Sequence, residues 1–177
     1  MAVTGVIHDR LQQDLALVIQ AMNLVGSKND AGQTVTGDIG ENVFTQLNFD
    51  ESNIKYPCVL LTCEDETEED DDATSFEEDG VIYPVRILIC DRVSTRWQNS
   101  RADYLRWRWT IQQTLLGLPA GVQGASFLPD VPECWDIRLR RLKVYDAKLP
   151  QYQFMVSGLV ALCRTMTPRW RGGVQPT

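Results

Sequence analysis

The chain has 177 residues and a mass of 20.1 kDa, enough for one domain with a real core, and its 44% hydrophobic and 23% charged residues are ordinary for a soluble globular protein. No apolar run approaches the roughly 20 residues of a membrane-spanning helix, and the N-terminus lacks the basic-then-apolar order of a secretory signal. The net charge of −7 is divided: residues 64–79 hold eleven carboxylates and no Lys or Arg, which leaves 13 acidic against 17 basic residues elsewhere.

The first predicted element is a helix over residues 6–25. Ile7, Leu11, Leu15, Val18, Met22 and Val25 recur at spacings of three and four, so they share a face, with Gln12, Gln13, Asp14 and Gln20 mostly opposite. Thr4 is placed to cap it and Gly26 to stop it. Residues 26–40 have loop composition, with a candidate short strand at 33–36, and residues 43–49 alternate as an edge strand would.

The chain is organised around residues 56–93, two apolar runs on either side of the acidic insert. Residues 58–62 are almost continuously apolar and read as a central strand covered on both faces. Residues 81–90 read as its antiparallel partner. Pro84, which cannot donate to a ladder, implies a sheet edge or a bulge there. Arg86 interrupts the apolar run, so its guanidinium is expected to reach solvent, a subunit boundary or a carboxylate. The insert carboxylates Glu64, Asp65, Glu66, Glu68, Glu69, Asp70, Asp71, Asp72, Glu77, Glu78 and Asp79 repel one another by roughly 0.7 kcal/mol per neighbouring pair at 6 Å in water. They predict an extended, solvated hairpin tip that faces either a basic partner or DNA.

A second helix is predicted over residues 95–116, capped by Ser94 or Thr95 and ended by Gly117 and Pro119. Tyr104, Trp107, Ile111, Leu115 and Leu118 form its apolar stripe, with Arg96, Arg101, Arg106 and Arg108 interleaved among Trp97, Trp107 and Trp109. Arginine beside tryptophan can grip nucleic acid. Without any accompanying nucleic-acid module pattern, core and interface packing is the better account, and Arg96, Trp97, Arg101, Arg106 and Trp109 become the candidate oligomer or partner interface. A Gly/Pro-rich connection follows. Residues 134–145 and 152–163 then read as a second hairpin, with the alternation slipping by one at Arg140–Arg141 as at a β-bulge. Residues 168–177 lack periodicity and are expected to form an arm. The expected fold is one α+β domain over residues 1–177: a mostly antiparallel sheet of two long hairpins with two helices on one face.

Chemistry is sparse. The only histidine, His8, has no nucleophile motif near it, no phosphate-binding glycine loop is present, and the insert lacks the glycine and spacing of a calcium loop. The five cysteines, Cys58, Cys63, Cys90, Cys134 and Cys163, lie in apolar runs, which predicts buried free thiols in a reducing compartment. The near pair, Cys58 and Cys63, would face opposite sides of one strand and could not share a metal. No catalytic residue, cofactor or metal site is expected, and the chain is not expected to be an enzyme.

Taken together, several features resemble the tail-terminator (tail-completion) proteins of tailed bacteriophages. These are the amphipathic helix ending at Val25, Tyr56-Pro57 leading into residues 58–62, the polar insert, the strand 83–91 closing on Asp91-Arg92, the arginine-rich helix 97–116 and the final hairpin. The likeness spans residues 6–164 as a pattern, and head–tail connector and neck proteins share much of it. The resemblance implies a structural virion protein at the tail–neck junction, assembled in the bacterial host cytoplasm. It implies a homo-oligomeric ring, hexameric, that meets tail-tube protein on one face and a connector protein on the other. Genomic DNA would pass through the lumen without sequence-specific binding, and no membrane is involved. A connector or neck subunit and a nucleic-acid-binding module are the alternatives.

Overall fold

The computed structural model describes residues 7–47, 54–65, 67–68, 78–92, 97–117, 128, 131–142 and 154–168; for 67–68, 78–79, 97–100, 117, 154–155 and 167–168 the description is of the backbone. The elements are α1 (Ile7–Ala21), β1 (Val43–Thr45), β2 (Cys58–Cys63), β3 (Thr67–Glu68), β4 (Glu78–Arg92), α2 (Trp97–Gly117), β5 (Cys134–Arg141) and β6 (Phe154–Pro168). The sheet runs β1-β2-β4-β6-β5, with the two-residue β3 also paired to β4. Every pairing is antiparallel except β1 with β2. The fold is α+β, as expected. β2 lies antiparallel to β4 and β5 to β6, but the segments that would close the two predicted hairpins fall outside the described residues. The longest pairing joins β4 to β6 over fifteen residues each, one strand from each of the two predicted hairpins.

Directly opposite residues share a face, so the register divides the sheet. One face carries Val59 and Leu61 of β2, Tyr83, Val85, Ile87 and Ile89 of β4, and Leu159, Ala161 and Cys163 of β6. These side chains, Leu11, Leu15 and Ile19 of α1, and Trp107, Ile111 and Leu115 of α2 form one buried cluster. Both helices therefore cover the same face. Each fully buried large side chain contributes about 1.5–3 kcal/mol before entropy is subtracted.

Several sequence expectations shift. α1 ends at Ala21 rather than at residue 25. The Met22 and Asn23 N–H groups reach back three residues to the Ile19 and Gln20 carbonyls, each at 3.1 Å, and Asn23 takes a φ of 47°. That left-handed conformation, which asparagine tolerates, terminates the helix. Gly26 has another role: a Cβ there would lie 1.9 Å from the Thr36 carbonyl oxygen, so glycine lets two loop segments touch. Val25, expected in the core, is exposed, whereas Gln12, expected outside, is buried and accepts the Gln46 backbone N–H at 3.0 Å. The candidate strand at 33–36 reduces to a single bridge between Lys28 and Thr34.

In the sheet, β2 is one strand in from the edge rather than central, and its Leu60 is half-buried on the side away from the helices. Pro84 lies within the central strand β4, opposite Leu162 of β6. Its carbonyl accepts the Glu64 N–H at 2.8 Å, one residue past the end of β2. The reciprocal bond that proline cannot make thus falls where the β2 ladder has already stopped. The predicted bulge at Arg140–Arg141 is not there: both pair regularly, with Val160 and Leu159. The register shift lies between Cys134 and Asp136, and Trp135 sits there under the Arg164 guanidinium, 4.4 Å from ring centroid to charge. The outer strand β5 presents exposed Arg138, Arg140 and Arg141, charges that discourage pairing with a foreign strand.

At the end of β4, Asp91 faces the helices beside Tyr104. Burial pushes its carboxyl above the ordinary value, while the Tyr104 hydroxyl and the Arg92 N–H, 2.7 Å away, oppose that shift. A carboxyl raised on folding adds stability below its unfolded pKa and loses it as pH rises through the folded value. Asp91→Asn keeps an acceptor for the Arg92 N–H and cannot ionise. It should be more stable than the parent at about pH 7 and equal to it at about pH 3, where both side chains are neutral. Urea midpoints at the two pH values check this, and a pH-independent difference would reject it.

Candidate functional site

The length of α2 is set by its buried face. Tyr104, Trp107, Ile111 and Leu115 recur at three and four, and all are 4% exposed or less. The helix is fastened at both sides of this face. The Trp107 indole N–H donates to the Val25 carbonyl at 2.8 Å, and Arg106 donates to the same oxygen at 2.7 Å. Buried Asp103 accepts from the Ser27 hydroxyl at 2.6 Å and pairs with Arg106 at 2.7 Å. The loop after α1 is thereby bound to the middle of α2.

The opposite side of α2 is apolar as well. Leu105, Trp109 and Leu116 are 41%, 61% and 57% exposed. At about 100° per residue they fall within about 40° of one another, along roughly 16 Å of helix. A tryptophan this exposed, in line with two leucines, takes no part in the core among the described residues. Arg101, also exposed, lies at the N-terminal end of the same line.

Of the five interface residues expected from sequence, the structure brings Arg101 and Trp109 to this outer line. Arg106 is exposed but is spent on Val25 and Asp103 within its own chain. Arg96 and the side chain of Trp97 lie outside the described residues. Leu105 and Leu116 were missed. Their signal was a second apolar series on the same helix, four and then seven residues apart, which a search for one amphipathic face passes over.

The described ends of the acidic insert join the sheet, and the predicted solvated tip lies outside the described residues. Thr67 and Glu68 form β3 against Ile82 and Val81, and β4 begins at Glu78 rather than Val81, which places Glu78 and Asp79 in the strand. Glu64 pairs with Arg86, the carboxylate outcome foreseen for that arginine. Asp65 is exposed. Glu66, Glu69, Asp70, Asp71, Asp72 and Glu77 lie outside the described residues.

Where the insert leaves β2, an open cleft of about 480 Å³ is lined by His8, Asp9, Gln12, Gln46, Leu47, Cys63, Glu64 and Asp65. Several of its groups are committed to structure. His8 packs edge-on against Tyr83 with centroids 4.8 Å apart, the Cys63 thiol donates to the His8 carbonyl at 3.5 Å, and Gln12 holds Gln46. Burial pushes the Cys63 thiol up to about 11, so it is protonated at neutral pH and a poor nucleophile. Among the described residues no three His, Cys, Asp or Glu side chains are grouped to hold a metal ion. Compared with known proteins, the chain matches no family model and no curated protein.

Proposed function

We propose that the chain is a structural virion subunit that acts by self-association, with the outer stripe of α2 packed against a neighbouring copy. One observation carries this reading: Trp109 stands 61% exposed in line with Leu105 and Leu116 on a helix whose other face is already committed to the core. Tryptophan beside arginine is the composition enriched in interface anchors. In this reading the subunits close into a ring, hexameric on the resemblance to tail terminators. The ring sits at the tail–neck junction, with tail-tube protein on one face and a connector protein on the other, and assembles in the bacterial host cytoplasm. DNA passes through its lumen without sequence-specific contact. The carboxylates of residues 64–79 give it a negative surface, to which phosphate does not adhere and a basic partner does. No catalytic step or cofactor belongs to the role.

The purified chain should run as a multisubunit particle in light scattering and appear as rings in negative stain. Trp109→Ala should weaken assembly by about 2 kcal/mol, roughly thirtyfold in Kd, with an unchanged circular dichroism spectrum. Full assembly by both Trp109→Ala and Leu116→Ser would reject the assigned surface. A label found on the head side of the assembled particle would reassign the subunit to the connector. A monomer that retains DNA in a salt-dependent manner would favour the nucleic-acid-binding alternative.

A further inference from the structure

The geometry points to Cys58 and Cys90 as a disulfide-forming modification site, closed by a hydroperoxide and distinct from the other three cysteines. The two residues are directly opposite each other in the antiparallel β2–β4 pair, on the face that the helices leave uncovered. Counting from the Glu64–Pro84 bond, alternate positions place them at a hydrogen-bonded pair. Cα atoms at such a pair are about 5.5 Å apart, inside the span of a disulfide, and a small movement at the fraying end of β2 brings the Cβ atoms together. Both thiols are free and near enough to shift each other's titration, and the Cys90 thiol donates to the Leu88 carbonyl of its own strand at 3.8 Å.

The proximity of the two thiols assigns the roles. It holds the Cys58 thiol below its ordinary value, against burial and the Asp91 carboxylate, and holds the Cys90 thiol above its own. Cys58 is 3% exposed but opens β2, the end at which a strand frays, and its partner Cys90 is half-buried. A small oxidant suits so narrow an approach. The Cys58 thiolate attacks one oxygen of hydrogen peroxide, the O–O bond breaks, and hydroxide leaves with a proton as water. The Cys58 sulfenic acid is then attacked by the Cys90 sulfur. The S–S bond forms, and the sulfenic hydroxyl departs with the Cys90 proton as a second water. Two thiols lose two electrons in all, and the peroxide gains them.

The remaining cysteines have no such opportunity. Cys63 lies on the helix side of the sheet, and burial raises its thiol to about 11. Cys134 and Cys163 are both 0% exposed beneath the helices and are offset in register, opposite Thr165 and Ile137 respectively, with each thiol turned to a carbonyl of its own strand. The pair lies within one chain, so the inference stands whether or not the subunit forms a ring.

Peroxide applied to the full-length native protein should remove the mass of two hydrogens and leave three of the five thiols titratable after denaturation. Peptide mapping should place the bond between Cys58 and Cys90, and dithiothreitol should reverse it. Cys90→Ser should stop at the sulfenic acid and take up dimedone at Cys58, whereas Cys58→Ser should show neither product. Five thiols surviving in the wild-type chain, a bond mapped to Cys134–Cys163, or added oxygen without a disulfide would each overturn the assignment. The wild-type thiol count and map decide the matter even if a serine variant fails to fold.

Discussion

Trp107→Ala is expected to bring the chain close to unfolding. The indole is 1% exposed, stacks edge-on with Tyr104 at 5.3 Å, and donates to the Val25 carbonyl. Removing it leaves a cavity between α2 and the sheet, for which about 3–5 kcal/mol is usual, against about 5–15 kcal/mol for a whole domain. Trp107→Phe separates packing from hydrogen bonding. It refills most of the volume, and the Val25 oxygen keeps Arg106 as a donor, so a loss of about 1–2 kcal/mol is expected. Urea unfolding of both variants measures the difference. An alanine variant within about 1 kcal/mol of the parent would show that the core collapses around the gap.

The second large effect is expected at Arg108. This arginine is 6% exposed, and its partners among the described residues are neutral: the Ser157 hydroxyl at 3.1 Å, the Gly158 carbonyl, and the Leu142 carbonyl at 2.9 Å. Burial, then the nearby Arg141, draw its pKa down. A guanidinium tolerates such a place because it is weakly hydrated and spreads its donors as a fork. Exchanging buried ionic groups for apolar ones is often neutral when all the partners are exchanged. Here the partners are backbone carbonyls, which remain. Arg108→Met would leave two of them desolvated, at about 1–3 kcal/mol each, for a total near 3 kcal/mol. Arg108→Lys should fall between, since one ammonium cannot serve groups on both sides. A methionine variant as stable as the parent would mean that water reaches those carbonyls.

Periodicity made both helices and the class legible, because it reports which face of an element is apolar. It does not report which strand lies beside which. Residues 81–90 and 152–163 both read as strands, yet nothing local says that these two stretches, rather than the flanks of the insert, make the longest ladder. The parallel placement of β1 was hidden for the same reason, since direction is decided by the path of the chain between Thr45 and Cys58. Boundaries failed where a backbone feature overrode the pattern: Asn23 turned left-handed and withdrew Val25 from the core. Gln12 was read as solvent-facing because composition cannot see the Gln46 N–H that satisfies it inside. At the outer face of α2, Trp109 stood out by residue type. Leu105 and Leu116 did not, because leucine in a helix is normally explained by the core. Cys58 and Cys90 were each recognised as strand cysteines, but their juxtaposition depends on the register of β2 against β4.

The β4–β6 ladder also sets the order in which this protein can be made. Its paired residues are 62 apart in sequence at Arg92 and Phe154, and 90 apart at Glu78 and Pro168. Such distant partners slow folding, because the loop must close before the contacts reward it. During synthesis, β4 leaves the ribosome with β2 available on one side and nothing on the other until β6 follows. For that interval the middle of the future sheet is an unguarded edge with apolar side chains, the kind of template on which nascent chains associate wrongly. A message truncated before residue 154 would therefore yield an aggregating fragment rather than a shortened folded protein. The pool of folded protein is set by how many chains reach residue 168.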